Sequence, residues 1–222
     1  MYNKIIIIPY RDREQHLKYF LENSWVLIKE HVPNTKIVII EQEQGKLFNR
    51  GKLLNVVFKE YIDKTKYFIT HDVDINPLTS SLPLYNKLDH DVILLYCPHN
   101  KSVGGICKFS MNCIKKTNGF PNNIWGWGIE DRALYYRCKI TDMGFCNLQY
   151  KELYSLLPHK SNVETYKGDK KIISDKENYI FEQASKEAQL EHMMSSGLNN
   201  LEYTILERKD LEENVEFIKV SI

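Results

Sequence analysis

The chain has almost no net charge, no long apolar run and no paired-cysteine spacing, and each of these absences excludes a class of protein. Thirty Lys and Arg stand against 29 Asp and Glu, a formal net charge of +1. No global field therefore draws the chain to nucleic acid or to an anionic membrane surface, and no nucleic-acid partner is expected. No apolar stretch approaches the ~20 residues that cross a bilayer, so no membrane span is expected. The start, Met1-Tyr2-Asn3-Lys4-Ile5, runs straight into an apolar segment without the basic region, apolar run and cleavage site of a secretory leader. The five cysteines (Cys97, Cys107, Cys113, Cys138 and Cys146) are odd in number and lack C-x-x-C spacing. That argues against a disulfide scaffold or a structural zinc site. The expectation is a soluble, cytoplasmic protein whose cysteines are buried small hydrophobes.

What is present suits one α/β domain over 1–222, since 43% of the 222 residues are hydrophobic. Residues 4–8 (KIIII), 36–40 (KIVII) and 66–70 (KYFIT) are short β-branched runs, the pattern of strands buried on both faces. Between the first two, Asp12 is placed to cap a helix reaching about His31, with Leu17, Phe20, Leu21 and Val26 at helical spacing. Between the second and third, a helix over 49–62 presents Leu53, Leu54, Val57 and Phe58 on one face. Strand, helix, strand, helix, strand specifies a parallel sheet with crossover helices. In such sheets ligands bind beyond the carboxyl ends of the strands. The second half reads as strands over 91–95 and 106–110, a short helix over 111–117, a turn-rich aromatic loop over 118–128 and a helix over 131–143. A polar, lysine-rich stretch over 160–178 reads as a mobile loop, followed by a helix over 178–195 and closing strands over 202–206 and 215–220.

Four strings carry chemistry. Asp72-Val73-Asp74 follows the third strand. In extended chain its two carboxylates share a side, with Val73 turned away, and they can reach a divalent cation and a nucleotide-sugar. A pair of solvated turn acids fits the same three residues. Arg11 and Arg13 follow the first strand, and Arg50, in Phe48-Asn49-Arg50, follows the second. All three arginines fall at the sheet edge of the acidic pair, where guanidinium groups can grip phosphate. Arginines also flank strands for no functional reason. Ile124-Trp125-Gly126-Trp127-Gly128-Ile129-Glu130-Asp131 offers aromatic faces for a sugar and acids for its hydroxyls. An aromatic core corner leading into an acidic helix N-terminus fits it equally. His159 after Leu157-Pro158, and His71 beside the acidic pair, are possible metal ligands, although packing or orienting Asp72 suits His71 better.

Together these strings resemble the β-1,4-galactosyltransferase family. The chain has Pro9-Tyr10-Arg11-Asp12-Arg13, Phe48-Asn49-Arg50 through Leu53, Leu54 and Asn55, Asp72-Val73-Asp74, and Gly104-Gly105 through Ser110. Asn118-Gly119-Phe120-Pro121-Asn122 then leads into the Trp–Gly string, and Ser196-Gly197-Leu198-Asn199-Asn200-Leu201-Glu202-Tyr203 matches the closing segment. The family order is kept over about 5–222.

The resemblance implies a nucleotide-sugar-binding GT-A fold, a central mostly parallel mixed sheet flanked by helices. The donor-binding half would be about 1–90, the acceptor-binding half about 91–222, and a loop at about 158–178 would close over bound donor. It implies inverting, Mn²⁺-dependent (or Mg²⁺-dependent) transfer of galactose from UDP-galactose to a sugar hydroxyl. Pro9, Arg11, Arg13, Phe48, Arg50, Asp72, Val73 and Trp127 would hold the donor. Trp127, Gly128, Glu130 and Asp131 would face the acceptor, Asp131 would be the base, and Asp74 and His159 would hold the metal. UDP-GalNAc or UDP-glucose as donor, and a non-catalytic sugar-binding module, are the rivals. Four positions depart from the family pattern. Arg132 stands where relatives place a further acid, and Leu156 and Leu157 stand where branches place an additional metal ligand. Ser102 stands where a tyrosine helps set donor choice.

Overall fold

The computed structural model describes residues 2–126, 128–158 and 169–222. An eight-stranded sheet runs through them in the order β7-β5-β6-β3-β1-β2-β10-β9. Its strands are β1 (Tyr2–Tyr10), β2 (Thr35–Gln42), β3 (Thr65–His71), β5 (Val92–Tyr96), β6 (Ile106–Ser110), β7 (Phe145–Asn147), β9 (Thr204–Glu212) and β10 (Val215–Ser221). Pairings β1–β2, β1–β3, β2–β10 and β5–β7 are parallel, whereas β3–β6, β5–β6 and β9–β10 are antiparallel. A small second sheet pairs β4 (Ile75–Pro77) with β8 (Tyr154–Leu156).

The isoleucine run lies at the centre of the sheet because β1 is covered on both faces, and Ile5 to Ile8 are all fully buried. Successive side chains of a strand alternate faces. Ile5 and Ile7 thus pack with Leu53, Leu54, Val57 and Phe58 of helix α3 (Arg50–Tyr61). Ile6 and Ile8 pack with Phe20, Trp25 and Ile28 on the other face. Helices therefore cover both faces, the architecture the repeated strand–helix pattern specifies.

Several local expectations are corrected. The first strand does not stop at residue 8 but runs on to Tyr10, with Pro9 opposite Ile40 in register. Asp12 is no helix cap. It takes a left-handed φ of 54°, and Arg13 occupies the N-cap position of α1 (Glu14–Tyr19) without a side-chain bond. The helix to His31 is not continuous either, since a π-helical turn, Phe20–Ser24, separates α1 from α2 (Trp25–His31). In an α-helix, side chains five apart diverge by ~140°; the wider π-turn narrows that angle and lets both Phe20 and Trp25 reach the core.

Helix 178–195 is two helices, α7 (Asp169–Gln183) and α8 (Lys186–Ser195), the second capped by Ser185. The stretch read as a loop to 178 is thus helical from Asp169, and its earlier part lies outside the described residues. The remaining short helices are α4 (Leu82–Tyr85), α5 (Met111–Thr117) and α6 (Glu130–Ile140). The cysteines are free, and all but Cys146 are buried. Among the described residues no helix is long and apolar enough to cross a membrane.

Buried amides bind the closing segment and the 118–122 loop to α3. Asn118 donates to Met193 O (3.0 Å) and Asn199 Oδ1 (2.9 Å), and Asn122 donates to Gly197 O (2.7 Å). Asn55, fully buried on α3, accepts from Phe120 N (2.9 Å) and donates to Phe120 O (2.7 Å). Asn55→Ala leaves both backbone groups unmet, and a buried unpaired group costs about 1–3 kcal/mol. Urea denaturation should therefore show a loss of about 3 kcal/mol. A loss below about 0.5 kcal/mol would mean that water replaces the amide at no cost.

Candidate active site

Strands β1, β2 and β3 run parallel and end at one edge of the sheet, and the segments that follow them meet there. After β1, the Arg11 guanidinium lies 5.2 Å from the centroid of the Phe48 ring and donates to Lys46 O at 2.8 Å. After β2, Asn49 fixes the entry to α3: its backbone N–H donates to Gln42 Oε1 (2.7 Å) and its side chain accepts from Lys52 N (2.9 Å). That capping residue aims its neighbours Phe48 and Arg50 at the edge. Pro9 stays within β1, and Arg13 stands at the start of α1. After β3, Asp72-Val73-Asp74 forms a reverse turn, with Ile75 N donating to Asp72 O (3.2 Å), instead of continuing as extended chain. Val73 is buried in the core, while Asp72 and Asp74 are partly exposed.

Arg50 is the hub. Its Nε and Nη2 donate to Asp72 Oδ1 at 2.9 and 2.8 Å, and its Nη1 donates to Asp131 Oδ1 at 2.6 Å. Glu130 Oε1 lies 3.9 Å from the same Nη1. One planar fork thus spans the turn after β3 and the first turn of α6, a geometry a lysine cannot supply. Burial disfavours the charge on Arg50, but Asp131, Asp72 and Glu130 outweigh it and hold the guanidinium firmly protonated. Burial raises the Glu130 carboxyl, and the neighbouring Asp131 charge raises it further against the pull of Arg50. Asp131 is also raised, by burial first, although Arg50 opposes the shift. Of the two, Asp131 has the shorter bond to the guanidinium and is 22% exposed against 6% for Glu130, so it is the better placed to carry the charge.

Backbone geometry at the Trp–Gly string is unusual. Gly126 and Gly128 take φ of 87° and 90°, and Ile129, a β-branched residue, takes φ of 80°. Isoleucine in that region is strained, and such strain collects at functional sites. Gly126 N donates to Phe48 O (2.7 Å), which joins the string to the Phe48–Arg50 corner. Nothing in the residue types announces the strain at Ile129.

Gly104 marks another tight contact that composition does not reveal. A methyl group there would lie 2.5 Å from Asp131 Oδ2 and 3.1 Å from its Cγ. Gly104→Ala should therefore move the Asp131 carboxylate while leaving the chain folded, because no left-handed φ is required at this position. If Asp131 has the role that the resemblance implies, steady-state assays should show kcat at least ~10-fold lower with donor affinity retained, since a small displacement of a reacting group is costly. Full activity in this variant would mean that Asp131 can shift freely. Ser102, two residues earlier, is buried at 7% exposure and its Oγ accepts from Gly104 N (3.1 Å). Its hydroxyl supports the glycine loop beside Asp131.

Beside the acidic turn, His71 is fully buried, with Nδ1 at 3.0 Å from Asp72 O and Nε2 at 3.2 Å from Tyr85 Oη. Burial lowers its pKa to about 4, so it stays neutral, and both ring nitrogens are occupied in orienting the turn. Asp74 O accepts from Leu157 N at 2.8 Å, which brings the segment ending at Pro158 against the acidic turn. The exposed Leu156 precedes it. His159 and Trp127 lie outside the described residues. Among the described residues no group of three or more His, Cys, Asp or Glu is arranged to hold a metal. Carboxylate oxygens at the Asp72–Asp74 turn are nevertheless hard donors of the kind Mn²⁺ and Mg²⁺ take. Arg132, after Asp131, donates to Glu182 Oε1 at 2.6 Å.

A mixed sheet with the acidic turn, the arginine fork and the acidic helix start at one edge defines a GT-A glycosyltransferase fold. The chain belongs to the β-1,4-galactosyltransferase family. The description "N-terminal region of glycosyl transferase group 7" matches residues 1–85, and "N-terminal domain of galactosyltransferase" matches 89–160. The chain is 32% identical to β-1,4-galactosyltransferase 1 of Bos taurus over 211 residues, which cover 91% of this chain and 50% of that protein. It is 30% identical to the Homo sapiens protein of that name, with the same coverage. The chain thus spans about half the length of these curated relatives. In structure it resembles Drosophila β-1,4-galactosyltransferase 7, solved with manganese, UDP-Gal and xylobiose. That match has a TM-score of 0.80 at 21% identity and covers 100% of this chain and 94% of that one. S. aureus TarS in complex with UDP-GlcNAc shares the fold at a TM-score of 0.62 and 13% identity, covering 89% of this chain and 74% of that one.

Proposed function

We propose that the chain is an inverting galactosyltransferase that moves galactose from UDP-galactose to a hydroxyl of a carbohydrate acceptor with the help of Mn²⁺ or Mg²⁺. The observation that carries this reading is the Arg50 fork, which holds Asp72 on the donor side and Asp131 on the acceptor side within one ion-pair network. The Drosophila relative, named with manganese, UDP-Gal and xylobiose, supports the same choice of donor and acceptor class.

In this reading Arg11 and Phe48 flank the uridine, and Arg50 steadies charge on the donor as the glycosidic bond to UDP breaks. Asp131 accepts the proton of the acceptor hydroxyl as its oxygen bonds to the anomeric carbon from the face opposite UDP, so the configuration inverts. Glu130 beside it, whose carboxyl burial shifts toward the neutral form, is placed to hydrogen-bond the acceptor. Asp74 would hold the divalent cation, together with His159, and the cation would neutralise the diphosphate.

The test is UDP release with UDP-galactose and Mn²⁺, first without and then with a panel of sugar acceptors. Asp74→Ala and chelation by EDTA should each abolish release. Undiminished turnover in metal-depleted buffer would falsify the metal requirement. UDP-GalNAc and UDP-glucose are the competing donors, and the small, buried Ser102 beside the glycine loop is the feature that keeps UDP-GalNAc in the panel. A non-catalytic sugar-binding module is the remaining rival, and acceptor-dependent UDP release excludes it.

A further inference from the structure

A recess opens beside the Phe48 corner, outside the residues assigned above. It has a volume of about 530 Å³ and is lined by Gly45, Lys46, Leu47 and Trp125. That lies within the ~300–1,000 Å³ of small-molecule sites. Leu47 is 48% exposed and, with the Trp125 ring, supplies an apolar wall. Lys46 and Lys52 bring their ammonium groups to 5.8 and 5.9 Å from the centroid of that ring. Burial and the charge of Lys46 both lower the Lys52 pKa, and Glu202 offsets part of the effect. Both ammonium groups thus lie near one aromatic ring, Lys46 in the wall of the recess and Lys52 close enough to feel its charge, a repulsion that a nearby anion relieves. Lys46 is anchored by a bond to Ile222 O at 2.7 Å, and its own carbonyl is held by Arg11. Trp125 joins the donor corner through the bond of Gly126 to Phe48 O.

We propose that this recess is an accessory subsite for an acidic sugar, one bearing a carboxylate, sulfate or phosphate. The C–H face of the sugar packs on Trp125 and Leu47, and the charged substituent lies between Lys46 and Lys52. The inference rests on reading the chain as a carbohydrate-handling enzyme, but its test is direct binding, so the two can fail separately.

Methyl β-D-glucuronide, methyl β-D-glucoside and inorganic phosphate are titrated into the full chain by NMR at low and high salt. The double variant Lys46→Gln/Lys52→Gln is titrated alongside; both lysines reach solvent, so the fold is retained. The expected result is glucuronide binding at least ~10-fold tighter than glucoside at low salt. High salt weakens that preference and the double variant abolishes it, while UDP-galactose affinity is unchanged. Equal binding of the two glycosides, a preference that survives in the double variant, or phosphate binding as tightly as glucuronide would each overturn the proposal. A chain that releases no UDP yet keeps the glucuronide preference contradicts the transferase reading alone.

Discussion

Asp131→Asn is expected to lower kcat by about 10²–10⁴-fold, the usual contribution of a positioned general base. The substitution keeps the shape and an oxygen that can accept the 2.6 Å bond from Arg50 Nη1, and Arg50 remains held by Asp72. Folding and donor affinity should therefore change little, and the loss should fall on the chemical step. The wild-type pH profile supplies an independent check. In the proposed mechanism Asp131 accepts a proton only when ionised, and burial raises its pKa against the opposing pull of Arg50. Activity should fall as pH drops through that raised value, above the ~4 of an ordinary aspartate. In kcat/KM measured at saturating metal, this acid limb should be present in wild type and absent from the residual activity of the variant. Retention of more than about a tenth of wild-type kcat would transfer the role to another group, Glu130 first.

How far such residues could be found from sequence depended on whether their signal was local. Helix α3 runs from Arg50 to Tyr61, between Asn49 as N-cap and Ile62 as C-cap, within the span that apolar spacing had marked out. The buried strands were equally plain, because a run covered on both faces is almost continuously apolar and β-branched. The edge where the arginines and the acidic pair meet followed from strand direction alone. Tertiary demands decided the rest. The π-turn at Phe20–Ser24 exists because two large side chains must face one core. The Asp72–Ile75 reverse turn exists because β4 pairs with β8, a strand too short to announce itself. Asp12 suits a cap by type, yet it lies in left-handed backbone and its carboxylate accepts from Gln44 Nε2 instead.

In the site, the family resemblance assigned Arg50 to the donor and Asp131 to the acceptor, and gave no sign that they touch. They are 81 residues apart, and neither propensity nor periodicity reports a contact of that range. Gly104 and Ile129 were silent for a related reason: a missing Cβ or a positive φ carries meaning only once the neighbouring side chain is known.

Arg50→Met tests whether the fork is the keystone of the site. Methionine fills much the same space without charge, so the change removes the ion pairs while largely sparing packing. The Arg50 side chain is only 11% exposed, and breaking a buried pair by removing one partner typically costs about 3–5 kcal/mol. On the proposed function, UDP-galactose binding and transfer should be lost as well, since Asp72 and Asp131 are then no longer bridged by the guanidinium. The stability loss should itself depend on pH. In wild type, Arg50 pulls the carboxyls of Glu130 and Asp131 down against burial. Without it both rise further above their unfolded values, so the folded variant binds protons more tightly than the unfolded chain as pH falls from neutral. Folding of Arg50→Met therefore gains stability relative to wild type as the solution is acidified towards the unfolded carboxyl range near ~4. Urea denaturation of both proteins at pH 8 and pH 5.5 measures this directly. The gap between them should be widest at pH 8 and narrower at pH 5.5, and an equal gap at the two pH values would show that the carboxylates do not depend on Arg50 for their charge.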